Sequence, residues 1–410
     1  MKSKELFFSF LPFWIFVLLF KLASSTHYAI LPVFGERILP IWAVGLVLSV
    51  ASFVQLPLDL LSGVFLKRLG FLRTLIFSCF AFVFSAGVLI FGLNVTTYLL
   101  SVIFATFGWF FFTPALNTYI LNHSTDSNTE KLITWRDVSQ SSGVFIGASA
   151  LVLSMGLSVN KFGVLLSAFF ISAGLFAMIS PKDAKKIEPK ARLEAEEKVG
   201  YFKKVAAEFK KLSPASWILF IQGMTSSTFY ATIWFVVPLE MANGLSALPS
   251  ISLGIFDMAV VVLGLGFGLI AKRAKRKRLI VFGLLLFSIM AALIGFQGGI
   301  AFLIFGFLAT VGDELSNISL WSWLTHLDKE HNEDGGVAGA ITFAQDFGWA
   351  IGPLIAGFLY KPLGPQLTIM TLSLPLFFTF VFAMLKTHMI PNFEHFTHNR
   401  RIHRLRHHKH

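Results

Sequence analysis

The sequence predicts an all-α membrane protein: twelve transmembrane helices in two six-helix bundles related by a pseudo-two-fold axis. Three observations predict it. The composition is 55% hydrophobic with 47 Phe and only 14% charged residues, and the mean hydropathy is +0.72, values that belong to chains dissolved in a bilayer. Apolar runs long enough to cross a hydrocarbon core of about 30 Å recur along the chain, six on each side of one charged segment. Short words then repeat across that segment at nearly constant offset, the mark of a duplicated bundle.

In order, the runs lie near 7–34, 41–66, 70–93, 97–119, 136–158 and 161–181, and then near 214–240, 249–270, 278–298, 300–324, 336–360 and 364–386. The first is too long, and its flanks wrong, for a cleaved signal peptide, so it stays as a helix. The predicted layout is an N-terminal bundle over 1–181, a cytoplasmic linker over 182–213, a C-terminal bundle over 214–387 and a basic tail over 388–410. Within the linker, Phe202, Val205, Phe209 and Leu212 form one apolar stripe opposite lysines, which reads as a helix lying on the inner membrane surface or as a solvated joint.

Charge sets the orientation. With both termini cytoplasmic, only Arg37, Lys161 and Lys361 face outward and Lys21 lies in the membrane, leaving 30 of 34 Lys and Arg residues inside, as the positive-inside rule requires. The net charge of +12 is then explained by contact with anionic lipid of the inner leaflet rather than by nucleic acid. The placement predicted is the plasma membrane, as a monomer. A lone cysteine, Cys79, excludes an internal disulfide framework. No nucleophile–base pair and no metal-ligand spacing stands in any loop, so neither enzyme chemistry, nor a cofactor, nor a metal site is predicted. The His-rich tail reads as a basic surface segment.

The repeats are specific. SSTHYA (24–29) returns as SSTFYA (226–231) at an offset of 202, FATFG (104–108) as LATVG (308–312) at 204, and QSSGVFIG (140–147) as QDFGWAIG (345–352) at 205. The last pair aligns Gln140 with Gln345, Gly143 with Gly348 and Gly147 with Gly352.

Between runs 2 and 3 the chain reads Gly63-Val-Phe-Leu-Lys67-Arg68-Leu-Gly70-Phe-Leu-Arg73. On this loop and the six-plus-six layout the chain resembles the major facilitator superfamily, whose signature there is G-x-x-x-D-R-x-G-x-x-R/K. Gly63, Arg68, Gly70 and Arg73 match, while Lys67 replaces the family's Asp. At an offset of 205, Gly268 followed by Lys272 and Arg273 repeats the pattern degenerately. Helix 4 has no arginine, and the better copy of the G-x-x-x-G-P-x-x-G pattern of proton-antiporting exporters, Gly348 to Gly357 with Gly348, Gly352 and Pro353 in place, stands in helix 11 rather than in helix 5.

Polar residues within the spans carry the functional expectation, because an ionisable group near the bilayer centre costs at least about 2.5–3.5 kcal/mol. Lys21 lies about 14 residues into helix 1, roughly 20 Å deep at the helical rise, with Ser24, Ser25 and Tyr28 on its face. The repeat aligns these with Ser226, Ser227 and Tyr230 on helix 7, above Gln222. The resemblance implies that helices 1, 4, 7 and 10 line a central cavity and so sets Lys21 opposite Asp313, Glu314 and Asn317 of helix 10. That arrangement is either a static ion pair or a site where the spare carboxylate carries a proton. His27, off that face, reads as a packed or hydrogen-bonded histidine ahead of a relay. Asp59 and Asp346 either share a proton across the bundle interface or bond separately to a helix end or to Gln55 and Gln345, and Asp257 is an isolated acid without an assigned role. The function predicted is secondary active transport of a small organic solute by alternating access, coupled to protons. Export of drug-like or amphipathic metabolites stands ahead of uptake of a sugar-like or nucleoside-like solute. A transport-inactive sensor or scaffold on the same fold is the alternative of another class.

Overall fold

The computed structural model describes residues 7–123, 129–181, 214–243, 251–273, 276–296, 298–331 and 336–386. The linker stripe and the basic tail lie outside the described residues, as do the side chains at 58–65, 265–276 and 321–340. Every described element is helical. The first half contains α1 (Leu11–Glu36), α2 (Ile41–Leu69), α3 (Phe71–Gly87, extended by the 3-10 turn Val88–Phe91), α4 (Val95–His123), α5 (Thr129–Ser149, followed by the short turn Leu151–Met155) and α6 (Val159–Met178). The second contains α7 (Pro214–Asn243), α8 (Ile255–Arg273), α9 (Arg276–Ile294), α10 (Gly299–His331) and the segment Gly336–Lys386. That last segment breaks at Gly364, with φ 78° and ψ 168°, into α11 (336–363) and α12 (365–386).

Two turns show why glycine stands where it does. Gly70 alone separates α2 from α3 and has φ 81°, a left-handed conformation that is cheap only without a Cβ. Gly364 does the same between α11 and α12. Helix limits depart from the apolar runs where polar residues continue the helix: α5 begins at Thr129 and α10 reaches His331, because hydropathy marks the membrane while backbone hydrogen bonding ends the helix. By length and apolarity, seven helical segments among the described residues can cross a membrane. Neither α5 nor α7 is among them, and these are the helices carrying Gln140, Ser141 and Ser142, and Gln222, Ser226 and Ser227.

Packing repeats on a shift of six helices. In the first half α1 packs on α5, α3 on α4 and α6, and α2 on α4; in the second α7 packs on α11, α9 on α10 and α12, and α8 on α10. The seams between halves are α2 with α11 and α5 with α8, which exchange under the same shift. The interior of the first half is aromatic: Phe20 stacks on Phe112 with centroids 3.9 Å apart, Phe82 on Phe170 at 4.7 Å and Phe13 on Tyr119 at 4.3 Å.

Candidate functional site

A cavity of about 360 Å³ lies between the halves. From the first half, α1 contributes Lys21, Ser24, Ser25 and Tyr28, α2 contributes Ser52 and Gln55, and α4 contributes Thr106 and Trp109. From the second come Trp234 on α7, Asp257 on α8, and Asp346 and Trp349 on α11. Tyr28 joins the two walls, its ring centroid 5.9 Å from both Trp234 and Trp349.

Lys21 places its ammonium 4.5 Å from the centroid of the Trp109 ring and 5.2 Å from that of Phe112, a cation–π arrangement. Among the described residues it makes no ion pair and no hydrogen bond. The acids whose charge reaches it are Asp257 and Asp137. The expectation that it sits against Asp313 and Glu314 is corrected here: Asp313 turns to Gln222 inside the second half, and neither acid is among the charges that reach Lys21. Gln222 donates through Nε2 to Asp313 Oδ1 at 3.2 Å and to Ser316 Oγ at 2.7 Å. The Tyr230 hydroxyl lies beside Asp313 without a well-aligned hydrogen bond. Glu314 feels Asp313, Asp137 and Asp257. Ser226 Oγ donates to the Gln222 carbonyl at 2.8 Å, Ser227 is buried against Gly348, and Asn317 is half-buried on α10. None of these lines the cavity. The residues predicted as one wall therefore form two groups, the cavity with Lys21, Ser24, Ser25 and Tyr28, and an internal polar network of α7 and α10.

Register explains the split. A Cβ built on Gly143 of α5 would stand 2.8 Å from Lys21 Cβ, beside the Leu18 carbonyl and the Leu22 amide; one on Gly348 of α11 would stand 2.8 Å from Ser227 Cβ, beside the Met224 carbonyl and the Thr228 amide. The same three atoms recur at an offset of 206 on the first helix of each half. SSTHYA and SSTFYA, matched at 202, are thus one helical turn out of register: Lys21 corresponds to Ser227, Ser24 to Tyr230 and Tyr28 to Trp234. A four-residue slip keeps the helix face and changes the depth, so the word match found the right face at the wrong level.

His27 follows its structural reading, although it also reaches the cavity wall. Its Nε2 lies 3.0 Å from Ser101 Oγ and 3.2 Å from Ser85 Oγ, joining α1 to α3 and α4. Asp346 lines the cavity and, among the described residues, makes no ion pair or hydrogen bond. The side chain of Asp59, and hence its contact with Asp346, lies outside the described residues, as does that of Gly63. Arg68 and Arg73 are exposed beside the Gly70 turn. Gln140 is half-buried on α5, and Gln345 packs on Gly223, its Cγ 3.0 Å from where a Cβ would be.

Sequence reasoning passed over the pair Arg136–Asp137, bonded at 2.7 Å and tied to Asn117 by Arg136 at 2.8 Å. Two adjacent charges inside a predicted span were the signal. It also left Asp257 without a role, whereas Asp257 lines the cavity beside Ser141.

Comparison with known proteins agrees with this architecture. Among solved structures, a POT family transporter in complex with a thioalcohol-conjugated peptide superposes with a TM-score of 0.70 at 12% identity, over 92% of this chain and 96% of the other. A POT family transporter in complex with 5-aminolevulinic acid gives 0.69 at 12% identity, over 92% and 96%. The E. coli fucose:proton symporter FucP gives 0.56 at 16% identity, over 92% and 99%. No curated protein sequence matches the chain. The family model for the Major Facilitator Superfamily matches residues 6–353. With that match spanning most of its length and the fold agreeing, the chain belongs to the major facilitator superfamily and is a multi-pass membrane transporter, not an enzyme.

Proposed function

We propose that this chain is a secondary active transporter that moves a small organic solute by alternating access, with a proton as the coupling ion. One observation carries the reading: the cavity is walled by both halves, with Lys21 on one wall and Asp257 and Asp346 on the other. Rocking of the halves about such a site exposes it to each side in turn. The layout we assign is the one read from the sequence, bundles over 1–181 and 214–387 joined by the linker, a monomer in the plasma membrane with both termini cytoplasmic and the basic loops against anionic lipid. In that orientation the stacked Trp42–Phe358 pair and the approach of Asn243 Nδ2 to the Glu36 carboxylate at 3.5 Å close the outer end.

We assign proton binding to the α10 carboxylates, Asp313 first. Asp313 is buried, its partners Gln222 and Tyr230 are neutral, and no described cation pairs with it. Such a carboxylate changes its occupancy by a proton more readily than one locked to an arginine. The aromatic lining favours export of amphipathic metabolites. Uptake is the second reading, favoured by the fold shared with a fucose:proton symporter. Purified protein in liposomes under an imposed pH gradient, screened against a solute panel in both orientations, tests this. Gradient-dependent movement that is lost in Lys21→Ala is expected, and its direction separates export from uptake. If no solute moves under any gradient, the sensor or scaffold reading replaces this one.

A further inference from the structure

The cavity holds two opposite charges that the described protein leaves unspent. Lys21, on α1, has only the faces of Trp109 and Phe112 against its ammonium. Asp346, on α11, has neither donor nor cation among the described residues. Asp257, the other cavity acid, has Ser141 beside it and Lys21 within electrostatic reach. A charge held in a confined cavity without a protein partner is costly, and two of opposite sign lining one space are satisfied together by a single ligand carrying both complements.

We infer that the solute is dipolar, a small molecule with a carboxylate or similar anionic group for Lys21 and an amine for Asp346. The amine end also meets the aromatic group of Tyr28, Trp234 and Trp349, whose ring faces favour a cation. Because Lys21 and Asp346 belong to different halves, such a molecule bridges the seam and holds the halves together around it. A solute of single charge leaves one of the two groups desolvated and unpaired, and sites built for polar groups discriminate strongly against ligands lacking them. The inference rests on the reading of this cavity as the solute site.

The probes are ω-amino acids with two to eight methylenes between the charges, compared with ω-amino alcohols and simple carboxylates of the same lengths. Binding is read from the fluorescence of the protein, since Trp109, Trp234 and Trp349 line the cavity. The expected result is an optimum chain length at which the amino acid binds about tenfold or more tightly than either singly charged analogue. Lys21→Gln then removes the preference over the amino alcohol, and Asp346→Asn the preference over the carboxylate. Equal or tighter binding of a singly charged chain, absence of binding by every amino acid, or unchanged ratios in both variants overturns the inference. The wild-type ratios decide even if a variant fails to fold. Proteoliposomes separate this inference from the transport reading: an amino acid that binds but never crosses sinks transport alone, while solutes that cross without any charge preference sink the dipolar ligand alone.

Discussion

At the scale of single residues, the two halves spend their polar groups differently. Gln222 and Ser316 make a 2.7 Å hydrogen bond where the first half, at the corresponding positions, sets Phe16 against Phe112 with centroids 6.2 Å apart; Asp313 stands where the first half has Trp109. The C-terminal half thus sets a carboxylate among neutral partners, where the proposed function puts the proton, and the N-terminal half sets an ammonium against aromatic rings. Asp313→Asn is expected to abolish accumulation driven by a pH gradient while leaving solute exchange across equal pH, measured side by side in liposomes; full gradient-driven accumulation in an Asp313→Asn, Glu314→Gln double variant sinks the assignment. His27 belongs to the structural account. His27→Ala leaves Ser85 and Ser101 short of a buried partner and is expected to lower stability by about 1–3 kcal/mol, visible as a lower unfolding temperature, with His27→Gln restoring part of it.

At the scale of elements, α1 and α7 are clamped to α5 and α11 by glycines at matching positions. A methyl group on Gly143 or Gly348 would meet backbone and Cβ atoms of the neighbouring helix below 3 Å, where no flexible side-chain end can give way. Gly143→Ala and Gly348→Ala are each expected to cost about 1–3 kcal/mol through overpacking, read by thermal unfolding, and to impair transport through displacement of Lys21 or Ser227. Unchanged stability in both would refute the clamp. These positions also mark how far the sequence could be read. The glycine word in α5 and α11 aligned correctly at 205, since only glycine fits at those contacts and the alphabet there is tightly constrained. The serine word in α1 and α7 aligned one turn off. Hydroxyls in a helix bond their own backbone, as Ser24 and Ser226 do, so their exact depth is weakly constrained and similar words recur at neighbouring turns.

At the scale of the whole molecule, the helical architecture, the duplication and the cavity face of α1 were legible, because apolar length and glycine spacing are each set by one dominant force. Which charges meet across the seam was not, since that depends on register between distant helices: α10 presents Asp313 to Gln222 rather than to Lys21, and α8 and α11 supply the cavity acids. The same seam gives the last prediction. The ends of α2 and α11 that the proposed orientation sets outward meet through the stacked pair Trp42–Phe358, centroids 6.3 Å apart, and both rings are also accessible from outside the fold, at 48% and 55% exposure. If this end opens in each cycle, tying it shut arrests transport without disturbing the cavity. Cysteines at positions 42 and 358, joined by a short thiol-reactive linker, are expected to reduce transport to background while the single-cysteine variants remain active. Cys79 is buried and contributes no competing site. Because cross-linking leaves Lys21 and Asp346 untouched, solute binding to the locked protein is expected to persist from the inner side, so lost transport with retained binding is the outcome specific to a moving seam. Undiminished transport at full cross-linking would show that the halves do not separate there.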